Sequence, residues 1–189
     1  MTRTGQIRKT KRVLENPVYK DKAIILETSS ETGGAYSLGR LEVAPGGGNS
    51  LHKHSAFTET FTAVQGTLGI MYGKQKLFLK PGESFTVPRH RPHYFFNESN
   101  ETVVCTIRFQ PGHEGFEKGI AIAYGLVVDG KTNKKGIPKR FMHLALIATL
   151  TDTVPVGILE LLKPVLKYFA NKARRNGVEN ELLEKYYFE

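Results

Sequence analysis

Cysteine is almost absent from this sequence, in which Cys105 is the one example among 189 residues. A single cysteine cannot form a disulfide within the chain, so a disulfide framework is excluded. Cys105 lies among Val103, Val104 and Ile107. We therefore expect a buried thiol that behaves as a small apolar side chain.

Long hydrophobic runs are also missing. Residues 1–20 are rich in Lys and Arg but have no apolar segment behind them, so neither a secretory signal nor a spanning helix is predicted there. Asp152 and Pro155 interrupt the later apolar stretch well short of the roughly 20 residues that a span needs. We predict a cytoplasmic protein without a transmembrane span.

Acidic residues are missing from three stretches, 1–12, 131–140 and 163–175, which carry most of the net charge of +9. Such charge suits nucleic acid, an anionic membrane, an acidic substrate or plain exposure to solvent. None of the stretches interleaves aromatic with basic residues on a strand, and no recognition-helix motif is present. We predict no nucleic-acid partner and basic faces that are solvated.

Between residues 21 and 110, short apolar or alternating segments are separated by Gly and Pro at about every tenth position. This pattern is typical of a β-sandwich or barrel. The predicted strands are Lys22–Glu27, Ala35–Ala44, Ser50–His54, Thr58–Val64, Thr67–Tyr72, Lys76–Leu79, Ser84–Val87, His93–Asn97 and Thr102–Gln110.

After residue 113 the spacing of apolar residues becomes helical. Phe116, Ile120 and Tyr124 predict a first helix that ends before Gly130, a typical C-cap residue. A second helix is predicted to begin with Pro138 in its first turn.

A third helix is predicted after Asp152, with Pro155 in its first turn, a kink at Pro164 and an end at Gly177. The second and third helices would form a hairpin that packs on the barrel or on a second subunit. The alternative is an interfacial helix, in which the basic residues of 163–175 lie above an apolar face in peripheral contact with a membrane.

Four residues with metal-binding side chains are predicted to converge. His52 and His54 are two residues apart on a predicted strand, so both imidazoles face one side. The following turn returns the chain and places Glu59 beside them. His93 opens a later strand directly after Pro92 and becomes available as a fourth ligand.

This arrangement resembles the two motifs of the cupin superfamily. The first motif is Gly, five residues, His-x-His, three or four residues, Glu, six residues and Gly, and it is matched by Gly46, His52, His54, Glu59 and Gly66.

The second cupin motif is Gly, five residues, Pro-x-Gly, two residues, His, three residues and Asn. Gly82, Pro88, His93 and Asn97 match it, whereas His90 stands where the family usually has glycine. If that position requires a positive φ, a histidine there would be strained.

The resemblance implies a mainly β fold: a double-stranded β-helix, or jelly-roll barrel, with a C-terminal α-helical extension. The implied organisation is a basic N-terminal arm over residues 1–20, the cupin barrel over 21–112 and the helical extension over 113–189. The barrel would hold one divalent metal through His52, His54, Glu59 and His93. Imidazoles and a carboxylate suit first-row transition metals, so Fe, Mn, Ni, Zn and Cu remain open.

Strand alternation predicts the lining of the metal pocket. Phe61 and Ala63 share a face with Glu59, and Phe95 and Asn97 share one with His93, so these four should point inward.

Three further residues are candidates for the pocket. Phe57 would cap its mouth. Arg40 would either grip a carboxylate substrate or face solvent from an outer strand position. His90 would either point at the metal as a base or point outward.

These residues support three hypotheses for a small-molecule ligand or substrate. The first is a metal-dependent oxygenase, a dioxygenase acting on a small organic molecule. The second is a non-catalytic sensor or binding module. The third is a metal-assisted isomerase in which His90 or Tyr94 transfers a proton. Cupin proteins often pair through sheet edges, so the resemblance also implies a homodimer.

Overall fold

Strands precede helices along the chain in the computed structural model, which describes residues 9–155 and 161–189. The strands are β1 (Val13–Asn16), β2 (Asp21–Glu27), β3 (Ser37–Val43), β4 (His52–Lys53), β5 (Thr58–Gln65), β6 (Leu68–Tyr72), β7 (Gln75–Leu79), β8 (Ser84–Val87), β9 (His93–Phe96), β10 (Val103–Gln110) and β11 (Val154–Pro155). The helices are α1 (Glu114–Val128), α2 (Phe141–Leu150), α3 (Lys163–Arg175) and α4 (Val178–Tyr186).

The strands form two antiparallel sheets. One has the order β1-β2-β3-β10-β5-β8 and the other has the order β11-β4-β9-β6-β7. Alternate residues of both sheets, among them Val43, Phe61, Ile70 and Phe95, are buried together in one core. The predicted mainly β fold is confirmed: two facing sheets in a jelly-roll arrangement carry a C-terminal α-helical extension.

Cys105 lies in the centre of β10 and is fully buried. Burial raises the pKa of its thiol to about 12, so the thiol is protonated at neutral pH. The expectation of an unreactive, apolar side chain is met.

The described part of the predicted N-terminal arm contains a strand of the larger sheet. Residues 13–16 form β1, an edge strand whose Leu14 lies opposite Ala23 of β2. Residues 1–8 lie outside the described residues. Leu14 of β1 is buried in a second core, so this part of the segment packs against the rest of the chain.

This second core is formed by the helices against β1 and β2. Ile122 and Leu126 of α1, Leu146 of α2 and Leu182 of α4 are buried in it together with Leu14. The first predicted helix is confirmed as α1.

The second and third predicted helices begin too early. Pro138 pairs with Thr132 in an isolated β-bridge, and α2 begins only at Phe141. Pro155 belongs to β11, which pairs with β4, so the chain is extended where a helix was predicted. Residues 156–160, also assigned to the third helix, lie outside the described residues.

Pro164 does not kink a helix, because it stands in the first turn of α3. A proline is tolerated there since its missing N–H would have no partner inside the helix. Gly177, with φ of 77°, separates α3 from α4. The sequence analysis missed α4, whose buried Leu182, Leu183 and Tyr186 follow a helical spacing.

The described part of the chain contains no helix whose length and apolar character would allow it to cross a membrane.

Candidate metal centre

The four predicted ligands come from both sheets. His52 and His93 are direct neighbours across the β4–β9 pair of one sheet. Glu59 lies on β5 of the other sheet, opposite Val87 of β8. The site therefore lies in the interior between the sheets, where alternation points these side chains.

The four side chains lie close enough to share one ion. One ligand atom from each of His52, His54, Glu59 and His93 lies within 4.8 Å of the others. The His52 ring centroid is 4.4 Å from that of His93 and 4.7 Å from that of His54. His54, Glu59 and His93 are each at most 5% exposed. Such burial is unusual for polar groups unless they are paired or bind a ligand.

Hydrogen bonds orient two of the imidazoles. Nδ1 of His52 lies 2.8 Å from the carbonyl oxygen of Ser50, and Nδ1 of His93 lies 2.9 Å from that of Arg91. Since a carbonyl oxygen can only accept, each Nδ1 is the donor. In neutral His52 this leaves Nε2 with a free lone pair, which is how proteins hold histidine ligands, whereas Nε2 of His93 lies in hydrogen-bond contact with Glu59.

The side chain of His54 has buried polar atoms whose hydrogen-bonding capacity other protein atoms do not satisfy, and Glu59 lies beside it. Both ring nitrogens of His54 are buried without a hydrogen-bond partner. Oε2 of Glu59 lies 2.7 Å from Nε2 of His93 and 3.9 Å from Nε2 of His54. A cation between these groups would satisfy the orphaned nitrogen and the carboxylate together, so the residues fit a metal.

Burial favours the neutral imidazoles that metal binding requires. It lowers the pKa of His52 and of His54 to about 3 each, with further lowering from nearby His93. Burial also acts to lower the pKa of His93, but the hydrogen bond and charge of Glu59 outweigh it and raise that pKa. His52 and His54 are therefore neutral at neutral pH and ready to donate to a metal.

The core between the sheets contains Phe61, Ala63 and Phe95, which the sequence predicts to line the pocket. Phe61 and Ala63 are fully buried, and the Phe61 ring lies 6.3 Å from His93 and 6.2 Å from Phe95. Phe95 is buried as well. These side chains make the interior beside the ligands mostly apolar.

Phe57 is buried and does not cap the mouth of a pocket. Its ring packs 4.5 Å from His54 and 5.0 Å from Phe109. His113 and Phe116 of the helical extension lie 5.1 and 5.6 Å from the same ring. The extension therefore covers Phe57, a contact that strand alternation cannot show.

Asn97 points inward as predicted, but it serves the backbone. Its amide nitrogen donates to the carbonyl oxygens of Val43 and Glu101, and its Oδ1 accepts from the backbone N–H of Ser99. These hydrogen bonds fasten the loop that follows β9.

Arg40 and His90 do not line the pocket. Arg40 is exposed on the outer face of β3, where it pairs with Glu42 at 3.1 Å. His90 is exposed and has φ of 65°, the conformation that the family's glycine permits. Its backbone N–H donates to the carbonyl oxygen of His54 at 2.6 Å, so the His90 backbone supports the site while its side chain faces solvent.

Asp152 is a site residue that the sequence analysis missed. Its carboxylate accepts from the backbone N–H of Ser55 at 2.5 Å, from the Ser55 hydroxyl at 2.8 Å and from the backbone N–H of Ala56 at 2.7 Å. Ser55 and Ala56 form the turn between His54 and Glu59. The extension thus fastens the turn that joins two ligands, and β11 pairs with the ligand strand β4.

The chain is similar to a known protein family and to several known proteins. The sequence model of the family described as "Cupin domain" matches residues 39–114. Germin-like protein 3-8 of Oryza sativa subsp. japonica is 41% identical over 69 residues, which are 32% of this chain and 29% of that protein. Oxalate oxidase 1 of Hordeum vulgare is 30% identical over 135 residues, 67% of this chain and 61% of that protein. The matched region therefore spans less than two thirds of the length of each of these relatives.

Solved structures with a similar fold have low sequence identity. A predicted oxalate decarboxylase from Thermotoga maritima has a TM-score of 0.47 and 15% identity, with 59% of this chain and 99% of that chain covered. A polyketide cyclase from Streptomyces resistomycificus has a TM-score of 0.46 and 21% identity, with 58% of this chain and 79% of that chain covered.

Proposed function

Residues 39–114 form a cupin domain and place the chain in the cupin superfamily, and from this premise we propose that it binds one divalent transition metal. His52, His54, Glu59 and His93 would be the ligands. The observation that carries the proposal is the burial of four donor side chains within 4.8 Å of one another, with both nitrogens of His54 unpaired. Three imidazoles and one carboxylate suit Fe, Mn, Ni, Zn or Cu.

We further propose that the metal serves an oxidoreductase reaction, of the dioxygenase type, on a small organic molecule. Two observations support it: the donor set leaves coordination positions open, and oxalate oxidase is the name of a relative that matches two thirds of the chain. When bound, the metal would supply Lewis-acid and redox chemistry. The buried rings of Phe57, Phe61 and Phe95 would exclude water from the metal site. The hydrogen bonds described above would orient the metal-binding side chains.

A non-catalytic small-ligand binding module is the second candidate. It is favoured by the apolar lining that Phe57, Phe61 and Phe95 give to the interior beside the four side chains. Isomerisation loses its support, because His90 is exposed and Tyr94 lies with Phe96 and Lys76 at a surface cavity of about 280 Å³. Neither side chain is placed to transfer a proton at the metal.

Metal analysis of the purified protein tests the first proposal. We expect one equivalent of a transition metal in the wild type and its loss in His52→Ala and His93→Ala. His90→Ala is the matched control, since it removes an exposed imidazole from the same motif and should keep the metal. Full metal content in both ligand variants would refute the site.

Oxygen uptake over a panel of small organic acids and neutral compounds, oxalate included, then separates the two functions. Uptake that disappears with His52→Ala supports the oxidoreductase. Ligand-dependent thermal shifts without uptake support the binding module.

Homodimerisation and a cytoplasmic location stay predictions. For the dimer we propose pairing through an exposed sheet edge, since β1 and β8 are the outer strands of the larger sheet. Sedimentation velocity measures the oligomeric state directly.

A further inference from the structure

The helical extension exposes an unusual number of large apolar side chains. Leu161 is 77% exposed and Tyr168 is 57% exposed. We define the α3 surface as these two residues together with their exposed neighbours Leu162, Val165 and Phe141. The Phe141 ring lies 5.0 Å from Phe169, which joins the start of α2 to the middle of α3.

The two faces of α3 differ in what covers them. Ala170 and Ala173 are fully buried against the other helices. Val165, Tyr168 and Lys172 follow at the three- and four-residue spacing of one helical face and are all exposed. The other helices therefore cover only part of the apolar surface of α3.

Positive charge surrounds this stripe. Between Lys163 and Arg175 there is no Asp or Glu. Arg174 pairs with Glu179 at 2.6 Å. Four other cations lie in α3: Lys163, Lys167, Lys172 and Arg175. None of them forms an ion pair with a residue in the described ranges.

An occupant of the α3 surface has to satisfy both properties. A second copy on a twofold axis would bring the same uncompensated cations face to face, which is unfavourable. Nucleic acid would neutralise the cations but would leave Leu161 and Val165 without an apolar partner. An anionic membrane offers negative headgroups to the lysines and an acyl boundary to the apolar residues.

We propose that the α3 surface is a peripheral docking site for an anionic lipid membrane. Tyr168, Val165 and Leu161 enter the interfacial region, and the surrounding cations contact the headgroups. The α3 surface contains none of the four metal ligands, so the proposal is independent of the metal site.

Vesicle co-sedimentation of the full-length protein tests the proposal. Vesicles of phosphatidylcholine mixed with an equal part of phosphatidylserine are compared with vesicles of phosphatidylcholine alone. We expect binding to the anionic vesicles to be at least about tenfold tighter and to weaken with added salt.

Two double variants divide the contributions. Val165→Ser with Tyr168→Ser removes apolar contact, and Lys163→Glu with Lys172→Glu reverses charge. Each should weaken binding to the anionic vesicles by about tenfold or more. Val128→Ser, at a position that is 65% exposed elsewhere, is the apolar control and should bind as wild type.

Thermal unfolding shows whether each variant is folded, and the single variant Tyr168→Ser replaces the apolar double variant if that one is not. Equal binding to both vesicle types, or binding to neither, would overturn the proposal. So would a wild-type dimer that the apolar variant converts to a monomer, because a second copy would then cover the surface.

Discussion

The carboxylate of Asp152 holds the backbone and the hydroxyl of Ser55, at 2.5 and 2.8 Å, across 97 positions of sequence. Ser55 directly follows His54, and the same turn leads to Glu59. Asp152 itself has φ of 49°, so its backbone is held in the left-handed region where this contact is made. A residue of the helical extension thereby fixes the distance between two ligands of the barrel.

Asp152→Ala should weaken metal binding while the protein stays folded. Loss of the carboxylate frees the turn, and supporting contacts of this kind contribute about 10- to 100-fold to metal affinity. Competition titration with a chromophoric chelator gives the dissociation constant. Asp152→Asn keeps one acceptor oxygen, so its metal affinity should lie between that of the wild type and that of Asp152→Ala. Asp129→Ala, which removes a carboxylate bound to Tyr186 far from the ligands, should leave affinity unchanged.

Removal of the metal should lower the unfolding midpoint of the wild type. A ligand that binds the folded state stabilises it by about 2.7 kcal/mol at a hundredfold excess over its dissociation constant. Differential scanning calorimetry with and without a chelator measures the change. His54→Ala should show no chelator effect, and an equal shift in that variant would mean that the stabilising ion binds elsewhere.

His90→Gly should stabilise the fold without changing the metal content. His90 has φ of 65°, and a non-glycine residue in this region costs about 1 kcal/mol relative to glycine. Chemical denaturation gives the free energy of unfolding. Arg89→Gly, next to it but without a positive φ, should instead destabilise the protein. A loss of stability in His90→Gly would show that the imidazole makes a contact worth more than the strain.

Asp21 should make the free energy of unfolding decrease as pH rises from about 4 to about 7. The carboxyl is buried and one oxygen lacks a partner, while the Tyr124 hydroxyl donates to the other at 2.9 Å. Burial raises its pKa to about 7 despite that hydrogen bond. The folded state then keeps a proton that the unfolded chain releases at its ordinary pKa of 3.8. The stabilising contribution of the Asp21 proton is complete below pH 3.8 and is lost by about pH 7.

Asp21→Asn removes this titration. The free energy of unfolding of the wild type should fall by at most about 4 kcal/mol between acidic and neutral pH on account of Asp21. The variant should lack that part of the slope and gain relative stability at neutral pH. Denaturation curves at several pH values test this, and identical slopes for both proteins would contradict it.

The convergence of His52, His54 and Glu59 could be predicted because it depends on local periodicity. His52 and His54 share a strand face, and a short turn returns Glu59 to them, so the spacing itself carries the geometry. Strand bounds followed for the same reason, because alternation and the Gly and Pro between strands are local signals.

The helical extension shows where local signals are insufficient. Pro155 suits the first turn of a helix as well as an edge strand, and only its pairing with His52 decides between them. The prediction ends the third helix at Gly177 and assigns no further helix, although Leu182, Leu183 and Tyr186 of α4 follow a helical spacing. The covering of Phe57 cannot be predicted locally, because Phe116 comes from another part of the chain.

The sequence by itself therefore determined the cupin barrel, its four candidate ligands and the inward faces of its strands. The tertiary structure decided that Asp152 and β11 hold the ligand turn, that Arg40 and His90 face solvent and that one face of α3 stays uncovered. The physical reason is range: periodicity follows from backbone geometry over a few residues, whereas contacts such as Asp152 with Ser55 arise only when distant segments pack.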